Sequence, residues 1–399
     1  MYDAVIVDAV RTPIGRGRPD GMLSGWHPVD LLAFTLSALV ERVGIEPAAI
    51  DDVIVGCVSQ VGQQAFNVGR NAVLAAGFPE SIPATTIDRQ CGSSQQAIHF
   101  AAQGITAGAY KAVIAAGVES MSRVPMFSPA ADDDPFGTWL ESRYAPGLVN
   151  QGISAELIAA KWGLGRRDLD LFSAESHRRA ATASEKGLLS GEVIPTPARS
   201  GLDGTDFLAE TDEGVRRNSS AESIAGLPPA FKSEESANRF PEIEWVVTAA
   251  NSSQISDGAS ALLLMERKEA LRLGVPARAV VRHYSVVGDD PVMMLTGVIP
   301  ATYKVLENAG LGIEDIDFFE VNEAFASVVL AWQAETGASL ERVNVHGGAI
   351  ANGHPLGATG AKLMTGLVNI LERYEGRYGL QTVCEGGGMA NATIIERVT

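Results

Sequence analysis

One architectural plan occurs twice in this chain of 399 residues, and that repetition limits the possible folds more than any other feature. Near the start, residues 4–10 read as a buried strand, 28–43 as a helix with apolar spacing and 52–58 as a second strand. Residues 67–76 then give a helix, 85–88 a short strand, 93–108 a long helix of small residues and 112–117 another strand. In the last third, 280–286 reads as a strand, 300–309 as a helix, 317–321 as a strand and 323–336 as a helix. A glycine-rich turn at 347–360 runs into a long helix, 356–374, and strands at 379–384 and 391–397 follow. Asp51-Asp52-Val53-Ile54-Val55 opens the middle strand of one half, and Asp315-Ile316-Asp317-Phe318-Phe319 opens that of the other. Cys91 stands just before the long helix of the first half, and His354 just before that of the second. An internal duplication would bring these two helix N-termini together near a pseudo-twofold axis. Strands alternating with helices imply an α/β fold with a mostly parallel sheet covered on both faces.

Residues 120–245 break the pattern. Ala130-Ala131-Asp132-Asp133-Asp134-Pro135 and Lys232-Ser233-Glu234-Glu235-Ser236 are solvated loop signals, with one clear helix at 167–186. A long, loop-rich insertion is expected to be a lid or binding element, the competing reading being a surface excursion without function. The expected division is an N-terminal half at 1–119 completed by 246–274, a loop domain at 120–245 and a C-terminal half at 275–399. With 46% hydrophobic residues and 42 glycines, the chain suits a close-packed fold rather than disorder. No apolar run reaches spanning length, and Met1-Tyr2-Asp3-Ala4-Val5-Ile6-Val7 lacks a basic region followed by an apolar stretch. No membrane partner is therefore expected, and a cytoplasmic location is. A formal net charge of -17 argues against nucleic-acid binding. Any anionic ligand must be met by local Arg, Ser or helix N-termini.

The three cysteines, Cys57, Cys91 and Cys384, form no disulfide framework and no zinc-ligand spacing. Cys57 sits in an apolar strand-like run and reads as a small buried hydrophobe. Cys91 lies in Asp88-Arg89-Gln90-Cys91-Gly92-Ser93-Ser94, at a helix start, where partial positive charge favours thiolate. By spacing alone, nucleophile and buried hydrophobe both remain open for it. His354 is held in Gly353-His354-Pro355, with Pro355 suited to the first position of the next helix. The other reading of His354 is N-terminal packing. His27, His99, His177 and His283 have no comparable setting and are assigned structural or surface roles. Cys384 ends an apolar strand and enters Glu385-Gly386-Gly387-Gly388, whose N–H groups suit an oxyanion hole, though a hairpin turn also explains them. Asn322, in Asn322-Glu323-Ala324-Phe325, could be only an N-cap.

These four motifs lie at strand-to-helix or strand-to-turn junctions, where open α/β sheets bind ligands. In order and spacing, Cys91-Gly92-Ser93, Asn322-Glu323-Ala324-Phe325, Gly353-His354-Pro355 and Cys384-Glu385-Gly386 resemble the four catalytic motifs of the thiolase family. Val10-Arg11-Thr12-Pro13-Ile14-Gly15 and Asn251-Ser252-Ser253-Gln254-Ile255-Ser256-Asp257-Gly258-Ala259 extend the resemblance over essentially the whole chain. It is weakest between Pro125 and Asn150. The resemblance implies two βαβαβαββ halves in a five-layered α/β/α/β/α body, with a loop domain inserted in the first. It implies an acyltransferase that cleaves a 3-ketoacyl-CoA with coenzyme A as co-substrate and no permanent cofactor or metal. Cys91 would be the nucleophile, His354 its base, and Cys384 the acid or base at the leaving acetyl carbon. Asn322 would hold a water in one oxyanion hole with His354, and Gly386 with Cys91 would supply N–H groups for another. Arg216 resembles the family's arginine near the adenine and phosphates, Ser223 and Ser253 the serines beside the pantetheine, and Met294 and Phe325 its tunnel walls. Ordinary loop or core roles compete for all five. The family precedent is a homodimer, often paired into a homotetramer.

Three positions depart from the short-chain acetoacetyl-CoA pattern. Asn150-Gln151-Gly152 stands where that group has His-Met-Gly, His346 replaces an Asn in Asn344-Val345-His346-Gly347-Gly348, and Val298 replaces a Pro in Gly297-Val298-Ile299-Pro300. The first of these favours a bulky or ring-derived acyl group. The Cys91 and Cys384 motifs look most like actinobacterial thiolases of steroid catabolism. The competing functions are a biosynthetic acetoacetyl-CoA thiolase, a condensing synthase and a non-catalytic acyl-CoA or sterol-binding relative. Cys384 argues against the synthase; the retained Cys91 and His354 argue against the binding relative.

Overall fold

Strand β1 (Ala4–Arg11) is buried along almost its whole length, and β2 (Gly15–Arg16) follows after a short turn. Helix α1 (Pro28–Val43) has the ends that its sequence dictates. The His27 side chain accepts from Val29 N, Pro28 starts the first turn and Gly44 closes the helix in the left-handed region. Its Leu31, Leu32, Leu36 and Leu39 are fully buried. Each such side chain contributes roughly 1.5–3 kcal/mol of burial. β3 (Asp52–Gly56), α2 (Val68–Ala75), β4 (Ala84–Ile87), α3 (Ser93–Thr106) and β5 (Ala112–Ser120) complete the first run, close to the expected bounds. This computed structural model describes residues 3–131, 133–201 and 203–398. Met1, Tyr2, Asp132, Leu202 and Thr399 lie outside the described residues, so the readings placed on Met1, Tyr2 and Asp132 do too.

The inserted segment carries α4 (Gly137–Arg143), α5 (Gln151–Trp162), α6 (Arg166–Glu185), the hairpin β6 (Thr196–Arg199) and β7 (Asp206–Ala209), α7 (Ala221–Ile224) and α8 (Glu234–Arg239). It is richer in helix than expected. α5 escaped notice because residues 152–159 are all buried, which leaves no amphipathic stripe to read. Then come β8 (Ser256–Glu266), α9 (Arg267–Leu273), β9 (Ala279–Gly288), α10 (Val298–Ala309), β10 (Phe318–Val321), α11 (Ala326–Thr336), α12 (Ala349–Asn352), α13 (Thr359–Arg373), β11 (Tyr378–Glu385) and β12 (Met389–Arg397).

The strand order is β10-β11-β12-β9-β1-β8-β5-β3-β4, with β2 on β8. From the β1–β9 junction outward it reads the same both ways, β1-β8-β5-β3-β4 against β9-β12-β11-β10. A Phe319↔Val343 bridge stands where β4 would have its counterpart. The duplication is thus written in the sheet. The expectation of a mostly parallel sheet was wrong. Pairing is parallel for β3–β4, β3–β5 and β10–β11, where helices make the crossovers, and antiparallel for the rest of this sheet. In the first half β8, a strand the sequence concealed, runs antiparallel to both β1 and β5, and in the second β12 runs antiparallel to both β9 and β11. α1 and α2 cover the outer face of the first half, and α10 and α11 that of the second. α3 and α13 pack on each other between the halves. This is the five-layered α/β/α/β/α body.

Arg11 ties β1 to the insertion. It is 2% exposed, its Nε donates to Glu192 Oε1 at 2.9 Å, and Nη1 donates to Asp212 Oδ1 at 2.7 Å. Removing the cation leaves two buried carboxylates unpaired. Arg11→Leu is therefore expected to cost roughly 3–5 kcal/mol in urea unfolding. The added substitutions Asp212→Asn and Glu192→Gln should recover part of that loss. Among the described residues no helix is long and apolar enough to cross a membrane.

Candidate active site

The two helix N-termini meet where glycine permits contact. A Cβ at Gly357 would lie 2.6 Å from Cys57 Cα and 2.8 Å from Gly56 O, so no larger residue fits. Ser94 Oγ accepts from Ala361 N at 2.8 Å, which pins the start of α3 to the start of α13. Glu119, buried at the end of β5, accepts from Val58 N at 2.9 Å and Gly357 N at 2.8 Å. It clamps the turn after His354 onto the first half.

Cys91 sits on the tight turn between β4 and α3 and is 4% exposed. Gln90 before it has φ +47°, a strained conformation for a non-glycine residue, held because Gln90 N donates to Asp88 Oδ1 at 2.6 Å. Cys91 packs with Leu356 and Val383, between the His354 turn and the Cys384 strand. Burial above all pushes its thiol well above the usual range, and negative charge on Cys384 or Glu385 would push it further. At rest it is a thiol, and the helix start alone does not make it a thiolate.

His354 is 4% exposed, and its backbone N donates to Ser256 Oγ at 3.0 Å. Its Nδ1 lies 2.6 Å from Thr359 Oγ1, and the Thr359 hydroxyl donates to Pro355 O at 2.9 Å. With that proton committed, Thr359 Oγ1 accepts from Nδ1–H. This assigns the tautomer with Nε2 unprotonated. Burial, helped by the Lys362 ammonium, lowers the imidazole to about 3, so the ring is neutral and the Nε2 lone pair is free to accept a proton. Lys362 Nζ donates at 2.6 Å to both Asn352 Oδ1 and Gly353 O, fixing the backbone before the histidine. Pro355 does not start the long helix as expected; a 3-10 turn, Leu356–Ala358, intervenes.

Cys384 is fully buried near the end of β11, and burial pushes its thiol up to about 12. Asn322 is among the neighbours of its thiol. The N-cap reading of Asn322 fails: α11 starts at Ala326, behind Phe325. The Asn322 amide is fully buried, and neither Oδ1 nor Nδ2 has a partner among the described residues. Leaving such a group unpaired in the protein interior is costly. Gly386 lies in the hairpin between β11 and β12, so the turn reading of the glycine run holds. A Cβ there would come within 3.2 Å of Gln90 Oε1 and 3.4 Å of Gln151 Nε2. Asn150 caps α5, and Gln151, its first residue, is thereby carried from the insertion to the glycine turn.

The five outlying residues are placed less uniformly. Arg216 is exposed, its backbone N held by His177 Nδ1 at 3.1 Å, and it forms no ion pair among the described residues. Ser223 is exposed on α7, and its hydroxyl donates to Ser220 O at 2.8 Å. Ser253 N donates to Ala324 O at 2.9 Å, next to the Asn322 motif. Met294 and Phe325 are each 7% exposed and belong to one apolar cluster. Phe325 meets Phe231 edge-on at 5.9 Å. His346 turns to Tyr374, 3.2 Å from its hydroxyl. Thr359, Ser256, Lys362 and Glu119 were missed. Thr359, five residues after a histidine at a helix start, was the one with a readable signal. Among the described residues no group of three or more His, Cys, Asp or Glu side chains could hold a metal ion.

Comparison with known proteins adds independent findings. The thiolase N-terminal domain matches residues 4–268 and the thiolase C-terminal domain residues 275–397. The chain is 47% identical to the steroid 3-ketoacyl-CoA thiolase FadA6 of Mycobacterium tuberculosis, across 100% of this chain and 95% of that protein. It is 41% identical to a 3-ketoacyl-CoA thiolase of Erwinia tasmaniensis, across 100% of both. The crystal structure of the Bacillus anthracis acetyl-CoA acetyltransferase superposes with a TM-score of 0.88 at 34% identity, covering 100% of this chain and 99% of that one. The mirrored sheet, the meeting of the two helix starts and matches that run through both halves lead to one conclusion: the chain belongs to the thiolase family.

Proposed function

We propose that this protein cleaves a 3-ketoacyl-CoA with coenzyme A, giving acetyl-CoA or propionyl-CoA and a shortened acyl-CoA, in lipid or steroid degradation. The observation that carries this reading is the neutral His354 with Nε2 unprotonated, beside a turn that packs on Cys91. In the first step the Cys91 proton passes to His354 Nε2 and Sγ attacks the keto carbon. The C–C bond breaks, the departing carbanion takes the Cys384 proton, and an acyl-Cys91 thioester remains. In the second step Cys384 takes the thiol proton of coenzyme A, whose sulfur attacks the thioester. Cys91 leaves and recovers its proton from His354. Asn322, through a water, and His354 would stabilise one oxyanion; the N–H groups of Cys91 and Gly386 would stabilise the other.

Residues 120–245 serve in this reading as the domain that binds coenzyme A and substrate, between halves at 1–119 with 246–274 and at 275–399. Arg216 would meet the phosphates, Ser223 and Ser253 the pantetheine, and Met294 and Phe325 would wall the tunnel. Coenzyme A is a co-substrate, and no resident cofactor takes part. A bulky or ring-derived acyl group is favoured by the 47% identity to a steroid 3-ketoacyl-CoA thiolase and by Gln151 beside Gly386. The likeness to an acetyl-CoA acetyltransferase favours a second reading, condensation of two acetyl-CoA. Incubation with coenzyme A and either acetoacetyl-CoA or a ring-bearing 3-ketoacyl-CoA, following ketoacyl absorbance, separates them. Faster turnover of the ring-bearing substrate is expected. Fast turnover of acetoacetyl-CoA alone would support the second reading, and no turnover of either would sink both.

Cys384→Ala is expected to lower kcat roughly 10²- to 10⁴-fold with little change in KM, because the carbanion loses its proton source. An unchanged kcat would remove Cys384 from the mechanism. The protein would work in the cytoplasm, where free coenzyme A is present, as a homodimer or homotetramer. β4 is an edge strand, and nearby Phe66 is 96% exposed, features that a partner copy would cover. A monomer by light scattering would contradict that assembly.

A further inference from the structure

Behind Cys91 lies a carboxyl group that the mechanism above does not use. Glu385 follows Cys384 at the end of β11 and is fully buried. Its side chain rests against Gly92, the residue after Cys91. A Cβ on Gly92 would collide with Glu385 Oε1 and come within 2.7 Å of Asn391 Oδ1. Both oxygens lie beside the Gly92 Cα. Among the described residues, Glu385 Oε1, Glu385 Oε2 and Asn391 Oδ1 have no hydrogen-bond partner. The one donor of the Asn391 amide engaged within the protein goes to Gly92 O at 3.2 Å.

An ionised carboxylate only accepts hydrogen bonds, so it would sit here against another acceptor without a donor. A protonated carboxyl carries no charge into this buried place and brings a donor of its own, with Asn391 Oδ1 among the nearby acceptors. The charged and titratable neighbours do not change this. Asp88, Arg89 and Cys91 face the group from the turn between β4 and α3, Cys384 stands beside it on β11, and β12 contributes the neutral Asn391. Arg89 forms no ion pair with it within 4 Å, and Asp88 opposes the pull of that cation.

We propose that Glu385 is a positioning residue whose carboxyl stays protonated behind Gly92 in the working enzyme, and whose ionisation suppresses the reactivity of Cys91. The inference rests on the reading of Cys91 as nucleophile. Loss of the proton places a negative charge beside both thiols and opposes formation of the Cys91 thiolate. Burial, the largest influence, moves the carboxyl up to about 8, which puts the transition within reach of ordinary assays.

The test is the rate at which iodoacetamide alkylates Cys91, followed by peptide mass, in wild type and in Glu385→Gln. At about pH 7 the rates should agree within roughly twofold. At about pH 9 the variant should react roughly tenfold faster, the equivalent of one pKa unit on Cys91. Glu385→Leu, neutral and of similar bulk, should behave as the Gln variant does and serves if that one does not fold. A merely structural role would change the rate by the same factor at both pH values, and that result would overturn the proposal. So would wild-type thiolysis that does not decline above about pH 8. Because alkylation needs no turnover, a pH-dependent rate ratio in a protein that cleaves no 3-ketoacyl-CoA would refute the proposed function and leave this inference standing.

Discussion

Cys91→Ala is expected to lower kcat by at least ~10⁴-fold while the fold and coenzyme A affinity survive. The reason is chemical. Every step of the proposed cycle passes through a bond to Cys91 Sγ, and neither other cysteine is placed to substitute. Cys57 is buried beside Glu119, 4.0 Å from its Oε1, and both burial and that carboxylate hold its thiol well above the usual range. Cys384 is held neutral by burial. The substitution removes one sulfur from a small cluster with Leu356 and Val383, so the structural cost is modest. Steady-state thiolysis together with a coenzyme A binding measurement checks the split. A variant retaining a tenth of wild-type activity would show that the nucleophile lies elsewhere.

His354→Ala should cost nearly as much, roughly 10³- to 10⁴-fold in kcat/KM. The Cys91 thiol is pushed up above all by burial, so the enzyme depends on a base to take its proton. The Thr359 contact leaves Nε2 as that base. Thr359→Val keeps the ring but releases its tautomer, and a smaller loss, roughly tenfold, is expected. The sign of the pH effect follows from burial. Because His354 is lowered to about 3, it stays neutral as pH falls through the ordinary imidazole range near 6.5. The acid side of kcat/KM should therefore show no loss of a base near 6.5. Such a loss, if it vanished in His354→Ala, would contradict the buried, neutral assignment.

The fold was readable where local chemistry and tertiary position agree. α1 matches its expected bounds because its cap, its Pro and its Gly all act within the chain segment itself. β8 was not readable. Its first residues, Ser256-Asp257-Gly258-Ala259-Ser260, lack the β-branched pattern of a strand, and they are buried because β5 lies on one side and β2 and the end of β1 on the other. That omission hid the antiparallel pairs of the first half; in the second, β12 turns back from β11 through the glycine hairpin and so pairs antiparallel with both β11 and β9. In the site, Cys91, His354, Cys384 and Asn322 could be named from their positions at element ends. Most of the partners that tune them could not. Ser256 and Glu119 act through contacts that only the meeting of the two halves creates; Thr359 and Lys362 reach back within the second half, across a turn whose shape the spacing does not reveal. Glu385 looked like part of a glycine turn until its packing against Gly92 was visible.

The central claim is that an acyl group rests on Cys91 between two half-reactions. The direct measurement is to mix the enzyme with a ring-bearing 3-ketoacyl-CoA in the absence of coenzyme A, quench in acid and locate the added mass by peptide mapping. The account predicts the mass of the shortened acyl group on the Cys91 peptide, lost on addition of coenzyme A. An adduct on another residue, or turnover with no covalent intermediate at all, would contradict it.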